Sequence, residues 1–458
     1  MPFFSSSHTH WARPIGVRAA GFPLAPPRPI SRELFEVREA TLPNGLSVRL
    51  LPDASVPAIS LYTFFKVGSR NERPGSTGIA HLFEHMMFNG AQRYGPKEFD
   101  RVLEGAGGHS NAYTSNDVTA YYEDFAAESL EIVLDLESDR MRALAITPEA
   151  LASEREVVKE ERRFSVENEP MGLLDEELFA IAFSAHPYRW PVIGWMDDIE
   201  ALKREDCLDF FRTYYAPNNA SLWAVGDFDP QRAIEAIERW YGGITKGPPP
   251  PEPARTEPPQ RGERRSEVRF PAHAASLAIG FKAPAGASED APVLDVIQYA
   301  LSAGEGARLV RTLIYEKLLA ANLTVDFAWR ADPGIFILLL ELNPGVAPAK
   351  ALAAVEEELS RMAQKGLTPR ELLRAKGQLR AQVLRELASN NGRAHALGTH
   401  EILVGDWRQA LALPERYASV DNEAVRRVAR ATFDTARRSV VTLVPERAHG
   451  GRRGARHG

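Results

Sequence analysis

Hydrophobic positions along the chain alternate between two periods. Short runs rich in β-branched and aromatic residues, such as ISLYTFFKVGS (59–69) and AASLAIGFKAP (274–284), are bounded by Gly and Pro. That pattern predicts strands. Longer segments with apolar residues three and four apart predict amphipathic helices. The two kinds of segment recur in the same order twice: early strands, a helix about 15 residues later, more strands, then long helices. Each series closes on a β-branched run, NNASLWAVGDF (218–228) in the first and RRSVVTLVPE (437–446) in the second. The expected fold is therefore α+β, with two similar domains, each a mainly antiparallel sheet packed with helices. Between them lies GPPPPEPARTEPPQRG (247–262), whose seven prolines exclude helix and sheet interior and favour an extended, semi-rigid linker. The expected domains are thus 33–246 and 263–446.

Composition narrows the class. At 458 residues the chain exceeds what one core normally serves. Its 44% hydrophobic and 25% charged content is that of a folded protein, not a disordered one. A net charge of -6 argues against a nucleic-acid partner. No apolar run approaches the roughly 20 residues of a membrane span. Residues 1–32 carry Arg13, Arg18, Arg28 and Arg32 and no acid, but prolines break any continuous apolar stretch. They fit a transit-like leader or a disordered extension, not a clear secretory signal, which leaves cytoplasm and periplasm both open. The Gly/Arg-rich residues 447–458 fit a disordered tail. With Cys207 the single cysteine, any metal site must use His and carboxylate ligands.

One such site is visible in HLFEHMMFNG, from His81. The segment from Ser76 to Phe88 predicts a helix, with Ser76 or Thr77 as its cap and Asn89-Gly90 at its end. His81 and His85 are four apart and project from one face with Glu84 beside them, so both imidazoles can reach one Zn²⁺. The flanking Ile79, Ala80, Leu82, Phe83, Met86, Met87 and Phe88 predict burial, and buried imidazoles need partners. A second helix is predicted in ITPEALASEREVVKEERRF, with Thr147 as N-cap and Pro148 in its first turn. Glu154 and Glu161 are seven apart there and share a face, with Val157 and Val158 between them.

With these motifs the chain resembles the pitrilysin and mitochondrial processing peptidase family, the inverzincins, whose zinc signature is His-x-x-Glu-His. The resemblance also covers VGSRNERPGSTGIAH before the signature, GGHSNAYTSNDVTAYY after it, and HPYRWPVIGWMDDIE from residue 186. It spans most of residues 40–230 and, more loosely, the second half. It implies a zinc-dependent endopeptidase whose two domains form half of a clamshell around an unfolded or presequence-like peptide. It also implies a glutamate about 75 residues past the signature as third metal ligand. Glu161 stands 76 residues beyond His85, which points to His81, His85 and Glu161 as zinc ligands. The same resemblance makes Glu84 the catalytic base and Glu154 a supporting residue behind the ligands. The strand at GGHSNAYTSND would be an exposed edge on which substrate adds as a further strand, with Asn111, Ala112 and Tyr113 as candidate substrate contacts. His109, close by, matches nothing in that pattern.

The resemblance breaks in the second half. The family's arginine and the tyrosine seven residues later, which hold substrate over the zinc, align with Ile314 and Ala321. Arg308 and Tyr315 have the right spacing but fall too early, inside the preceding helix. Ile and Ala cannot donate a hydrogen bond to an oxyanion. Some family members divide the work between two chains, one bringing zinc and the other the Arg/Tyr pair. A homologous partner subunit carrying that pair, in a heterodimer, is therefore expected. The alternative is a catalytically weak or structural relative that serves in assembly or in binding peptides.

Overall fold

The computed structural model describes residues 35–253 and 256–446. The extension expected over 1–32 and the tail expected over 447–458 lie outside the described residues. The fold is α+β, with two sheets and many helices. The first sheet comprises β1 (Arg38–Thr41), β2 (Ser47–Pro52), β3 (Ala58–Phe65), β4 (His109–Thr114), β5 (Thr119–Ala126) and β6 (Ala220–Gly226). Its spatial order is β1-β2-β6-β3-β5-β4. The second comprises β7 (Arg264–Phe270), β8 (Ser276–Lys282), β9 (Ala320–Asp326), β10 (Ile335–Leu342) and β11 (Arg438–Pro445), in the order β7-β11-β8-β10-β9.

Setting β1 aside, the two sheets follow one plan. In each, the first strand runs parallel to the last, β2 to β6 and β7 to β11. The remaining pairs are antiparallel. This equivalence makes β4 and β9 counterparts, and each is the outer strand on its side.

The nearly continuous apolar run of β3 follows from burial on both faces. Ile59, Leu61 and Phe65 pack with the helices of the first half, including Ile79–Met86. Tyr62 and Phe64 point the other way, into a core shared with the second half. That shared core exists because helices cross between the halves. The helix Asn390–Val404, late in sequence, packs on β3 and β6. A Cβ on its Gly398 would stand 2.1 Å from Phe64, so only glycine allows this approach. Polar bonds pin the helix at both ends. Glu401 accepts from Ser221 Oγ at 2.7 Å and from Trp223 Nε1 at 2.8 Å, and Asn390 Nδ2 donates to the Ala58 carbonyl at 3.0 Å. In return the helix Pro170–Ala182 from the first half packs on β7, β8 and β11.

The proline-rich segment is extended but held in place. The Glu257 carboxylate accepts from the backbone amides of Ser184, Ala185 and His186 at 2.8 to 2.9 Å and from Ser184 Oγ. Gln260 Nε2 donates to the Arg438 carbonyl at 2.6 Å. Among the described residues no helix is long and apolar enough to cross a membrane.

Candidate metal centre

The signature helix spans Ile79–Met86, shorter than its sequence predicts. Ser76 and Thr77 do not cap it. Gly78, at φ +87, is the N-cap, a left-handed geometry that suits glycine. The capping acceptor comes from seven residues upstream of the helix: Glu72 accepts from Gly78 N at 3.0 Å and Ala80 N at 2.9 Å. Thr77 instead turns to Asp198, donating from both its hydroxyl (2.7 Å) and its amide (3.2 Å). The first turn, which carries His81, is thus tied to two carboxylates. Sequence reasoning missed Glu72 and Asp198. Two acids that bond amides rather than bases leave no charge pattern to find.

Ile79, Leu82, Phe83 and Met86 bury the opposite face of this helix. Its polar face meets the helix Pro148–Arg162, where Thr147 accepts from Ala150 N as an N-cap should. Val158 is buried at the contact, whereas Val157 is 47% exposed, so the apolar strip beside Glu161 is narrower than its sequence predicts.

Three donors converge between the two helices. One donor atom each from His81, His85 and Glu161 lies within 4.8 Å of the others. Glu161 Oε2 is 3.4 Å from His85 Nε2 and 3.8 Å from His81 Nε2. Ligands on a tetrahedral zinc, each about 2 Å from it, stand about 3.3 Å apart. The donors are therefore spaced for a shared cation. On its other side His85 Nδ1 is 3.5 Å from Glu154 Oε2, which places Glu154 behind a ligand and not among the converging atoms.

Electrostatics treat the two imidazoles differently. Burial lowers the His81 pKa to about 4, against the pull of Glu161, so this imidazole presents a lone pair at neutral pH. Burial also disfavours charge on His85, but Glu154 and Glu161 outweigh it and raise the imidazole to about 9. Hydrogen bonding to His85 lowers both glutamates. Burial pushes the Glu84 carboxyl up, against Thr114 and His85. A raised carboxyl is a better proton acceptor than an ordinary one, the direction a general base needs.

The signature helix also packs on β4. As expected for a strand that could take an added neighbour, β4 is outermost in its sheet. Asn111 turns its side-chain oxygen onto the Ala112 amide at 2.8 Å, in an exposed position. Tyr113 points away from the metal-site helices. Its ring stacks edge-on against His395 at 5.7 Å, and its hydroxyl is 3.5 Å from Thr399 Oγ1. Burial there raises it to about 12. The Tyr113 side chain is therefore engaged, and its main chain pairs with Ala120 of β5, so the outward-facing main chain here is that of Ala112. His109 is exposed, 3.7 Å from Asp124, and outside the donor cluster.

In the second half Ile314 packs against the core and Ala321 lies exposed on β9. Arg308 is engaged elsewhere, bonded to Glu371 at 2.6 and 2.9 Å and to the Gly366 carbonyl. Among the described residues no second His/Cys/Asp/Glu trio is spaced for a metal.

Comparison with known proteins places this architecture in a class. Residues 50–194 match the family model described as Insulinase (Peptidase family M16), and residues 201–379 match the one described as Peptidase M16 inactive domain. The chain belongs to the M16 peptidase family. A zinc protease of Helicobacter pylori, PqqE, is 32% identical over 77% of this chain and 80% of its own length. A probable mitochondrial-processing peptidase subunit beta of Arabidopsis thaliana is 24% identical over 86% of this chain and 76% of its own. Among solved structures, a protease from Helicobacter pylori superposes with a TM-score of 0.87 at 30% identity, covering 90% of this chain and all of that one. The periplasmic protease PqqL of Escherichia coli shares the fold at 18% identity and a TM-score of 0.70. There 90% of this chain covers only 48% of that one.

Proposed function

We propose that this chain is the metal-bearing subunit of a zinc endopeptidase. The observation that carries the reading is the convergence of His81, His85 and Glu161 beside Glu84, with Glu154 behind His85. Three protein ligands of the His₂Glu type are a catalytic set, whereas structural zinc sites usually have four. His81 Nε2, His85 Nε2 and Glu161 Oε2 would hold the cation. Zinc, when bound, supplies a Lewis acid that makes water more acidic and polarises a carbonyl.

The rest falls to the chain's own residues. Glu84 takes the proton of the attacking water and returns it to the leaving amine. Glu154 fixes the orientation of the His85 ring through Nδ1. An extended peptide pairs with the free edge of β4, so backbone bonds bind it without reading its sequence. For that pairing Asn111 must release the Ala112 amide, and Ala112 then contributes its main-chain groups. The empty clamp positions, Ile314 and Ala321, favour a homologous partner that brings an arginine and a tyrosine.

The second reading, a peptide-binding or assembly subunit without catalysis, rests on those same two residues. Metal analysis combined with a chelator-reversible peptide-cleavage assay separates the two. About one zinc per chain, with cleavage lost to chelator and restored by zinc, supports the enzyme. Stoichiometric zinc with no cleavage in any subunit combination supports the alternative.

A further inference from the structure

The second half holds a cleft of about 680 Å³ whose walls carry Arg308, Arg311, Arg361, Arg370 and Arg374. Three carboxylates, Glu305, Glu358 and Glu371, share the lining, so five cations face three anions in a chain whose net charge is -6. One wall is the start of the helix Pro369–Glu386, the end that carries partial positive charge. Arg370 stands in its first turn, where a cation is disfavoured. The facing rim is the turn Gly304-Glu305-Gly306.

Internal ion pairs account for three of the five guanidiniums. Arg308 binds Glu371, Arg361 binds Glu357 and Glu358, and Arg311 binds Glu316 at 3.2 Å. They do not account for the other two. Arg374 donates to the backbone carbonyls of Gly306 and Ala300, which carry no net charge, and its buried Nε has no partner among the described residues. Arg370 is exposed and forms no ion pair among the described residues. Two cations without an ion pair thus border one cleft, Arg370 exposed and Arg374 half-buried.

We propose that this cleft binds a multivalent phosphoryl oxyanion, either free pyrophosphate or the phosphate chain of a nucleotide. Guanidinium forks match phosphoryl oxygens in geometry and charge. A single carboxylate could answer only one of the two unpaired cations. The volume lies in the range of small-molecule sites. The inference does not depend on the metal-centre reading.

The test is equilibrium dialysis of the full, zinc-free chain with labelled pyrophosphate at low salt, so that no bound zinc can capture the anion. One saturable site is expected, weakened by added salt. Arg370→Glu should weaken it about tenfold or more, with an unchanged melting midpoint, and Arg374→Gln should weaken it too. His81→Ala should bind as wild type does. Competition by ATP but not by adenosine supports the phosphate chain as the group bound, and binding of ATP alone assigns the nucleotide as the source. No saturable binding of either anion, equal binding by Arg370→Glu, loss in His81→Ala, or competition by adenosine would each overturn the proposal.

Discussion

At the scale of single residues, the site separates atoms that meet a cation from atoms that prepare those that do. Glu84 points no atom into the donor cluster, so Glu84→Gln should keep zinc at one per chain. It should lose about 10²- to 10⁴-fold in turnover, the usual worth of a general base. Metal content and rate measured on the same sample decide this, and full activity in a zinc-loaded Gln variant would remove Glu84 from that role. Glu154→Gln acts differently, because it weakens the hold on His85 Nδ1. Its expected signature is metal affinity reduced about 10- to 100-fold, with activity recovering as zinc is added in excess. Much of this was legible in the sequence. His81, Glu84 and His85 are readable because a helix places residues four apart on one face, and Glu154 and Glu161 because seven residues are almost two turns. Glu161 as the third donor needed a family resemblance, since no local rule connects helices 76 residues apart in sequence. Glu72 was not legible, because its role is a contact with amides that only the folded loop brings near.

At the scale of elements, the strands and most helices follow from periodicity, but the company they keep does not. The sequence divides at its proline-rich stretch, yet the helix Asn390–Val404 lies on the first sheet and Pro170–Ala182 on the second. An amphipathic pattern shows that a face is buried and is silent about which sheet buries it. Gly398 is where the exchange is most tightly specified. Gly398→Ala would press a methyl into Phe64 and should destabilise the whole chain by about 1–3 kcal/mol, read as a lower denaturant midpoint. An unchanged midpoint would show that the helix can lift off β3 without cost. The proline-rich stretch makes its own prediction. Burial raises the Glu257 carboxyl, but its hydrogen bonds to the amides of His186, Ser184 and Ala185 outweigh that and hold it at about 2, below its ordinary 4.5. A carboxyl depressed in the fold contributes stability above its unfolded pKa and loses it as pH falls toward the folded one. Amide exchange at Ser184, Ala185 and His186 should therefore be slow near pH 6 and accelerate relative to other loops as pH drops from about 4.5 toward 2. In Glu257→Gln that pH dependence should vanish.

At the scale of the whole molecule, the described residues hold one metal-type donor cluster, with β4 and β9 as equivalent outer strands of the two sheets. The fold neighbour from Escherichia coli is about twice as long as the region this chain covers. On the proposed division of labour, the arginine and tyrosine come from another polypeptide. Ile314 is half-buried against the core, so an arginine there would give up that packing to keep its charge in water. Ala321 is exposed and would accept a larger side chain, but a tyrosine alone supplies half of the pair. The expected behaviour is that the purified, zinc-loaded chain cleaves an unfolded peptide slowly. Mixing it with a homologous chain that has arginine and tyrosine at the positions of Ile314 and Ala321 should raise the rate about 10²- to 10³-fold, the usual worth of an oxyanion donor. The increase should saturate at equimolar ratio, and a partner with both residues changed to alanine should bind equally well without raising the rate. Cleavage at full rate by a chain verified as monomer or homodimer would show that other groups, such as the backbone along β9, do the clamp's work. In that case the incompleteness read from Ile314 and Ala321 would belong to the family pattern and not to this enzyme.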